Sequence, residues 1–221
     1  MRIRVERQCR IARLWSNRQL KKLAPLFTGD VVNVSAWDDR DKEGGKYKDY
    51  FSKASGNYYT NYTGTQGNQQ QENEYFVDLT NDLPKELYQR FDVVFNHTTL
   101  EHIFDIRKAF ANICSMTKDV AIVVVPFSQV QHETESYKDY WRFTPSCMQE
   151  MFRENGLEVI YEAESKYKKT AIYLLFVASR NPRKWKEQMP RFKPIKKAGK
   201  SIGFRWSLKE LKKRFRRDAN E

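Results

Sequence analysis

The residues best suited to acid–base chemistry are the three histidines of the chain, His97, His102 and His132. Histidine exchanges a proton near neutral pH, so it can serve as a general base toward a hydroxyl group. We expect His132 to take this role because an aromatic loop follows it, with His102 as the second candidate. A purely structural role is also open for His102, as a histidine at a helix start that bonds to backbone.

The stretch from Phe91 to Phe110 contains two of these histidines. The run at 93–95 is typical of a strand buried on both faces. The helix after it is indicated by apolar residues at steps of three and four, namely Ile103, Ile106, Phe110 and Ile113. Asn96 and His97 therefore follow the strand at its carboxyl end, where open α/β sheets bind ligands. The pattern predicts a site here without naming its ligand.

Strand patterns recur along the whole chain, whose 221 residues suit one α/β domain with additions. We predict seven strands, at 31–37, 57–62, 74–79, 93–95, 119–127, 157–164 and 170–179. Helices are predicted at 5–24, 84–90 and 103–113, and from Pro145 to just before Gly156. Thr144 is a plausible N-cap for the last of these, and Gly156 suits the left-handed residue that ends it.

Charge divides the chain into three parts. Residues 1–22 carry eight Lys/Arg and one Asp/Glu, and 180–221 carry sixteen against four, whereas the body between them is mildly acidic. We expect an N-terminal amphipathic helix at 1–24, a domain at 25–179 and a basic extension at 180–221. An acidic body argues against a domain that cradles nucleic acid, so a nucleic-acid partner is unlikely.

The remaining composition indicates an intracellular protein. No apolar run approaches the length of a membrane span, and the N-terminus lacks the apolar core of a signal peptide. Three scattered cysteines, Cys9, Cys114 and Cys147, show no metal-binding spacing, so we expect reduced thiols and no metal site. A cytoplasmic location is expected.

Three motifs carry a resemblance to class I S-adenosylmethionine-dependent methyltransferases over about residues 25–179. The fourth predicted strand and its loop resemble that family at Asp92, Val93, Val94, Leu100, Glu101, His102 and Asp105. The first loop resembles a variant found in the branch of that family associated with bacterial surface-polysaccharide biosynthesis, at Asn33, Val34, Asp41, Lys42, Gly44, Tyr47, Asp49, Tyr50 and Phe51. The third motif resembles that same branch, at His132, Asp139, Tyr140, Trp141, Arg142, Phe143, Thr144 and Pro145.

The resemblance implies a Rossmann-like α/β fold with a seven-stranded, mostly parallel sheet and a terminal antiparallel strand. It also implies S-adenosylmethionine as cofactor. Cofactor contacts are then expected from Asn33, Val34, Ser35, Asn61, Asp78, Leu79, Asn96 and His97. The aromatic loop implies contacts to a sugar or glycan acceptor from Tyr140, Trp141 and Arg142.

Several positions keep a second interpretation open. Ser35 and Trp37 stand where the family has glycines, and Asn61 stands where it has a carboxylate. Trp37 either packs in the core or loop, or closes the cofactor pocket. Asp78 either contacts adenine or caps its own strand end, and Trp141 either binds ligand or pins its loop. A non-catalytic scaffold in glycan biosynthesis is therefore the alternative to an O-methyltransferase.

The basic extension contains a second signal near its end. Ser207 and Glu210 form a capping box, and Leu208, Leu211 and Phe215 give a narrow apolar stripe among basic residues. Residues 180 to about 206 are expected to be an extended, poorly packed linker because of their prolines. The helix could lie on an anionic membrane, dock on an acidic partner or stay solvated. Oligomeric state is not indicated.

Overall fold

The computed structural model describes residues 2–62, 72–167 and 170–196. Its α-helices in these ranges are α1 Arg2–Leu23, α2 Ile106–Met116, α3 Pro145–Glu154 and α4 Pro182–Trp185. Its strands are β1 Gly29–Val34, β2 Ala54–Asn61, β3 Glu74–Phe76, β4 Phe91–His97, β5 Thr117–Pro126, β6 Glu158–Tyr167 and β7 Thr170–Ser179. The seven predicted strands are all present.

The strands form one sheet in the order β3-β2-β1-β4-β5-β7-β6. Neighbours from β3 to β5 are parallel, whereas β7 is antiparallel to both β5 and β6. This arrangement confirms the predicted Rossmann-like α/β fold and the predicted terminal hairpin. The carboxyl ends of β1 and β4 lie side by side, since Val34 is in register with Asn96.

Helices cover the two faces of the sheet unequally. On one face, α2 and α3 pack together through Phe110 and Phe152, whose ring centroids are 4.9 Å apart. On the other face, α1 buries Ala12, Leu20 and Leu23 against the sheet. A short 3-10 turn, Tyr47–Tyr50, stands between β1 and β2 beside α1.

Three predicted elements are shorter than expected, among them the third strand, which ends at Phe76 and not at Leu79. The first strand ends at Val34 because Ser35 turns into the left-handed region, with φ of 57°. The predicted helix at 84–90 is a single 3-10 turn, Lys85–Leu87. By contrast, α3 begins and ends as predicted: the Cys147 amide donates to Thr144 Oγ1 over 3.2 Å, and Gly156 has φ of 72°.

The expectation of a poorly packed linker after Ser179 is wrong for the residues that the structure describes there. Trp185 and Met189 are buried, and the Trp185 ring lies 5.0 Å from that of Phe27. The Trp185 indole donates to Asp119 Oδ2 over 3.1 Å. Apolar side chains between the prolines thus extend the core. The helix predicted from Ser207 lies outside the described residues.

None of the helices in the described part of the chain combines the length and the apolar character needed to cross a bilayer.

Candidate active site

The loop between β5 and α3 brings His132 against Asp139. The His132 Nδ1 atom lies 3.0 Å from Asp139 Oδ2 and hydrogen-bonds to the Val130 carbonyl over 3.4 Å, and the His132 backbone amide donates to Asp139 Oδ2 over 2.8 Å. A carboxylate and a carbonyl can only accept here, so Nδ1 carries the proton and Nε2 keeps its lone pair. The pair therefore has the geometry of a histidine held as a base by an orienting carboxylate.

Arg142 fixes Asp139 in place from the other side. Its two terminal nitrogens donate to the carboxylate over 2.5 and 2.7 Å, and its Nε donates to the Gln129 carbonyl over 2.7 Å. Desolvation acts to raise the pKa of Asp139, but the hydrogen bonds from Arg142 and His132 outweigh it, so the pKa is lowered. Arg142, expected to contact substrate, is thus engaged with this carboxylate.

His102 lies beside His132, with ring centroids 4.9 Å apart. Its Nδ1 is 2.7 Å from the Lys138 carbonyl oxygen. Since a carbonyl only accepts, this nitrogen carries the proton and Nε2 is left with its lone pair. Desolvation lowers the pKa of His102, which favours the neutral ring. The structure thus contains the backbone bond of the structural interpretation and also a free ring nitrogen.

Glu101 is a fully buried carboxyl group in the 3-10 turn Leu100–His102 that follows β4. Neither of its carboxyl oxygens has a hydrogen-bond partner within the described ranges. Burial raises the pKa of Glu101 to about 8. Its Oε1 lies 3.9 Å from His102 Nε2. Such an unsatisfied buried group is costly to a fold and indicates a functional position.

We call Glu101, His102, His132, Asp139 and Arg142 the histidine cluster. Arg13 of α1 stands behind it, where its positive charge acts on Glu101 and on the phenols of Tyr47 and Tyr173. Helix α1 therefore closes the cluster from one side of the sheet. Its contribution was missed by the sequence analysis, which treated it as a separate amphipathic helix.

His97 does not join the cluster. Its Nε2 lies 2.8 Å from Ser16 Oγ of α1 and its Nδ1 lies 3.0 Å from Thr98 Oγ1. The ring also packs against Tyr47 and Tyr173. Desolvation first, and then the charge of Arg13, lower the pKa of His97 well below its ordinary value. Its two nitrogens are both engaged, which is the pattern of a structural histidine.

Aromatic side chains flank the cluster on the solvent side. Tyr140 is 48% exposed and Phe104 is 71% exposed, and their rings lie 5.3 Å apart at a steep angle. Trp141 lies next to them, but its indole donates to the Ile103 carbonyl over 2.9 Å and its ring packs on the core. Tyr140 and Phe104 therefore offer open ring faces, whereas Trp141 pins the loop.

The turn after β1, residues 35–39, keeps an unusual backbone. Ser35, Trp37 and Asp39 have φ of 57°, 53° and 58°, which are left-handed values that favour glycine. The turn is held by Asn33, whose amide donates to Asp39 Oδ1 over 2.7 Å, and by Thr60 of β2. The ring of Trp37 is 53% exposed, so Trp37 is not a core residue.

Asn61 ties this turn to the end of β2. Its Oδ1 accepts from the Trp37 amide over 2.6 Å, and its Nδ2 donates to the Trp37 carbonyl over 3.1 Å and to Glu74 over 2.5 Å. Glu74 is a carboxylate beside the expected acidic position that the sequence analysis did not consider. The amide of Asn61 is thus already satisfied within the protein.

Asp78 is satisfied in a similar way. Its Oδ1 accepts from the amide and the hydroxyl of Thr80 over 2.8 and 2.7 Å, and its Oδ2 accepts from Asn81 over 3.1 Å. Next to it, Leu79 is buried and its carbonyl accepts from Asn112 over 2.9 Å. These bonds match the capping role for Asp78 and leave its carboxylate partly engaged.

Asn96 supplies an orphaned polar atom at the expected cofactor edge. It is fully buried, its Nδ2 donates to the Val34 carbonyl over 3.0 Å, and its Oδ1 has no partner among the described residues. Together with the left-handed turn, this acceptor fits the amino-acid end of S-adenosylmethionine. At the nucleoside end, Asn61 and Asp78 fit less well, because protein groups occupy their acceptor atoms.

Comparison with known proteins identifies structural relatives only. No protein-family model matches the chain, and no curated protein sequence is detectably similar to it. Several solved structures share the fold. An S-adenosylmethionine-dependent methyltransferase from Clostridium acetobutylicum has a TM-score of 0.52 and 10% identity, over 75% of this chain and 90% of that one.

Two further relatives contain a bound nucleoside. A Burkholderia thailandensis 1,6-didemethyltoxoflavin-N1-methyltransferase with S-adenosylhomocysteine has a TM-score of 0.53 and 16% identity, over 75% of this chain and 80% of that one. The Synechocystis PCC 6803 magnesium protoporphyrin IX methyltransferase, with bound S-adenosylmethionine, has a TM-score of 0.52 and 13% identity, over 80% of this chain and 81% of that one. At these identities the likeness establishes the class I methyltransferase fold.

Proposed function

We propose that the protein is an S-adenosylmethionine-dependent methyltransferase that methylates a hydroxyl of a sugar or related glycan. The observation that carries this proposal is the His132 and Asp139 pair, 3.0 Å apart beside the strand ends of this sheet. A neutral alcohol must lose its proton as it attacks a methyl group, and a held neutral imidazole can take it.

In this proposal His132 Nε2 would take the proton of the acceptor hydroxyl as its oxygen attacks the methyl group. Asp139 is a positioning residue, since it orients the ring and stabilises the imidazolium that forms. S-adenosylmethionine would supply the methyl group from a sulfonium centre, whose sulfur keeps the bonding electron pair. The remaining contribution of the protein is to align the acceptor, an effect of proximity and orientation.

The exposed aromatic rings support a sugar as the acceptor. Tyr140 and Phe104 present ring faces near the histidine cluster, and sugars stack their apolar faces on such rings. Asn33, Val34, Ser35 and Asn96 would hold the amino-acid end of the cofactor. The suggested branch, polysaccharide biosynthesis, has support only in two sequence motifs, the variant first loop from Asn33 to Phe51 and the motif from His132 to Pro145.

A second candidate function is a non-catalytic scaffold, and the Asn61 and Trp37 pair favours it. Asn61 bonds both the amide and the carbonyl of Trp37, so the turn is closed against the end of β2 without any ligand. A protein that no longer bound a nucleoside would be stabilised by this closure. The two candidates therefore differ in whether this turn still accepts a cofactor.

Calorimetric titration of the full chain with S-adenosylmethionine and S-adenosylhomocysteine separates the candidates. We expect saturable heat with both, and no heat with ATP, which tests for non-specific adenine binding. Absence of heat with either cofactor form at high micromolar concentration would remove the enzyme and leave the scaffold. Once binding is seen, methyl transfer to simple glycosides is the next measurement.

A membrane contact through the basic extension is retained as part of the proposal. Residues 197–221 hold nine Lys/Arg and three Asp/Glu, and each basic residue near an anionic surface adds about 1 kcal/mol. Flotation with anionic vesicles should occur for the full chain and fail for a chain ending at Lys196. The cut must follow Lys196, because Trp185 and Met189 belong to the core. Equal flotation of both chains would reject the contact.

A further inference from the structure

Three side chains that are far apart in the sequence converge at the histidine cluster. Glu101, His102 and His132 each present one potential ligand atom, and these atoms all lie within 4.8 Å of one another. Residues 101 and 102 come from the turn after β4, whereas His132 comes from the loop after β5. We propose that these three side chains form a binding site for a divalent transition-metal ion of the Zn²⁺ class.

The orientation of the two rings supports a metal site. Each Nδ1 faces oxygen acceptors: the Lys138 carbonyl at 2.7 Å for His102, and for His132 the Asp139 carboxylate at 3.0 Å and the Val130 carbonyl, to which it hydrogen-bonds, at 3.4 Å. This is how ligating histidines are usually held, with one nitrogen bonded to an outer oxygen and the other turned to the metal. The outer partners fix both Nε2 atoms as acceptors.

The buried carboxyl of Glu101 is the second, independent observation. Its side chain is 1% exposed, and both oxygens lack a partner in the described part of the chain. A carboxyl with no hydrogen bond is destabilising in a core unless something else satisfies it. A cation between Glu101 and the two imidazoles would satisfy it.

The spacing allows an ion after a small closure. Zinc bonds to histidine nitrogen and carboxylate oxygen are about 2.0–2.2 Å, so ligand atoms of a tetrahedral site lie about 3.4 Å apart. The present separations, 3.9 Å for Glu101 Oε1 to His102 Nε2 and at most 4.8 Å overall, require shifts of about 1 Å. His132 is one-third exposed on a loop without helix or strand, so its side chain has room to shift.

Charges of both signs surround the site. Asp139 is neutralised by Arg142 at 2.5 Å, whereas the guanidinium of Arg13 keeps its charge, acts on Glu101 and opposes a cation. The carboxylate of Glu101 is the charge that favours a cation there. Two imidazoles and one carboxylate favour Zn²⁺, Fe²⁺ or Co²⁺ over Mg²⁺ and Ca²⁺, which prefer oxygen ligands. Three protein ligands leave further coordination positions open.

The site is inferred independently of methyl transfer. A metal on His132 Nε2 would occupy the lone pair that the proposed general base needs, so the two uses of His132 exclude each other. A chain that binds Zn²⁺ but no S-adenosylmethionine keeps this site and loses the proposed function. A chain that binds S-adenosylmethionine but no Zn²⁺ keeps the proposed function and loses the metal site.

The test is metal titration of the full chain after treatment with a chelator. Co²⁺ is followed by its visible absorption and Zn²⁺ by competition with a chelating dye, with Mg²⁺ as the hard-ion comparison. We expect one ion per chain. His132→Ala and His102→Ala should each weaken binding by more than about 100-fold, and Asp139→Asn by about 10 to 100-fold as an outer partner.

Glu101→Gln keeps the metal site testable if a histidine variant fails to fold, because it replaces a carboxyl group by an amide of equal size. It should also weaken Co²⁺ binding and change the absorption bands. Cys147→Ser is the matched control, since Cys147 is an exposed thiol outside the cluster, and it should bind as the parent chain does. Absence of Co²⁺ and Zn²⁺ binding would overturn the proposal. Binding that survives both the Glu101 and histidine substitutions would overturn it equally.

Discussion

The histidine cluster and the turn at 35–39 lie at the same edge of the sheet, yet they use their polar groups differently. In the cluster, the Glu101 carboxyl has no hydrogen-bond partner within the described ranges, and the Nε2 atoms of His102 and His132 keep their lone pairs. At the turn, Asn61 bonds to Trp37 through both ends of its amide. The cluster therefore retains acceptor atoms for a ligand, whereas most acceptor atoms at the turn are already hydrogen-bonded within the protein.

This difference separates groups that maintain the fold from groups available to act. A satisfied polar group stabilises its surroundings, and its removal affects folding first. A buried group left unsatisfied destabilises the chain unless it has another use. The same contrast exists between two histidines, since His97 has both nitrogens engaged and His132 has only one. Substitutions of these two residues should therefore have different consequences.

The largest expected effect is on catalysis and belongs to His132. His132→Ala should lower the rate of methyl transfer by about 10² to 10⁴-fold, the usual contribution of a general base, with little change in S-adenosylmethionine affinity. Single-turnover kinetics and calorimetry measure the two quantities. Lys138→Ala is the control, because it keeps the carbonyl that bonds His102 and should leave the rate near that of the parent chain. Equal activity of the His132 variant would remove His132 as the base.

The second effect is on acid stability and belongs to His97. Because its folded pKa is lowered, the unfolded chain binds more protons than the folded chain below its ordinary pKa of about 6.5. The contribution of His97 to stability is therefore full above about pH 6.5 and is lost as pH falls through its lower folded pKa. The expected slope is about 1.4 kcal/mol per pH unit within that interval.

His97→Asn should flatten this dependence in urea unfolding between about pH 7.5 and about pH 5.5. Ser16→Ala is the matched control: it removes the hydrogen-bond partner of His97 but keeps the titrating ring. That variant should be less stable than the parent chain and still lose stability in acid. An unchanged slope in His97→Asn would show that the ring is protonated normally in the folded protein.

The sheet was predictable from sequence because its signals are local. Runs of β-branched residues such as 119–125 predict buried strands, and Thr144 with Pro145 predicts the start of α3. The packing of Trp185 was not predictable in the same way. Its partners, Phe27 and Asp119, lie far away in sequence, and the surrounding basic residues and prolines favour a linker.

The candidate site was predictable in its location and less so in its contacts. The polar residues after β4 and the motif at 132–145 indicated where the ligand groups would be. Arg142 binds Asp139 and not substrate as expected. Asp139 lies three residues before it in a loop whose shape no local sequence signal defines. Burial of Glu101 depends on α1 and on the loop at 139–142 together, so only tertiary structure reveals it.

The smallest expected effect is on stability and belongs to the turn at 35–39. It tests whether the backbone at Trp37 still has the conformation of a glycine. Trp37 has φ of 53°, a conformation that costs a non-glycine residue about 1–2 kcal/mol, whereas its neighbour Ala36 is outside the left-handed region. Trp37→Gly should relieve this strain, and Ala36→Gly should only add freedom to the unfolded chain. The first variant should therefore be more stable than the second by about 1–2 kcal/mol in urea unfolding.

The same pair of variants tests access to the cofactor edge. If the ring of Trp37 stands in the path of a nucleoside, Trp37→Gly should strengthen S-adenosylmethionine binding in calorimetry, while Ala36→Gly should leave it unchanged. The backbone bonds from Asn61 involve only the main chain of residue 37, so glycine can keep them. A turn that gains stability without gaining affinity would be a structural element alone, and the contrast with the histidine cluster would be complete.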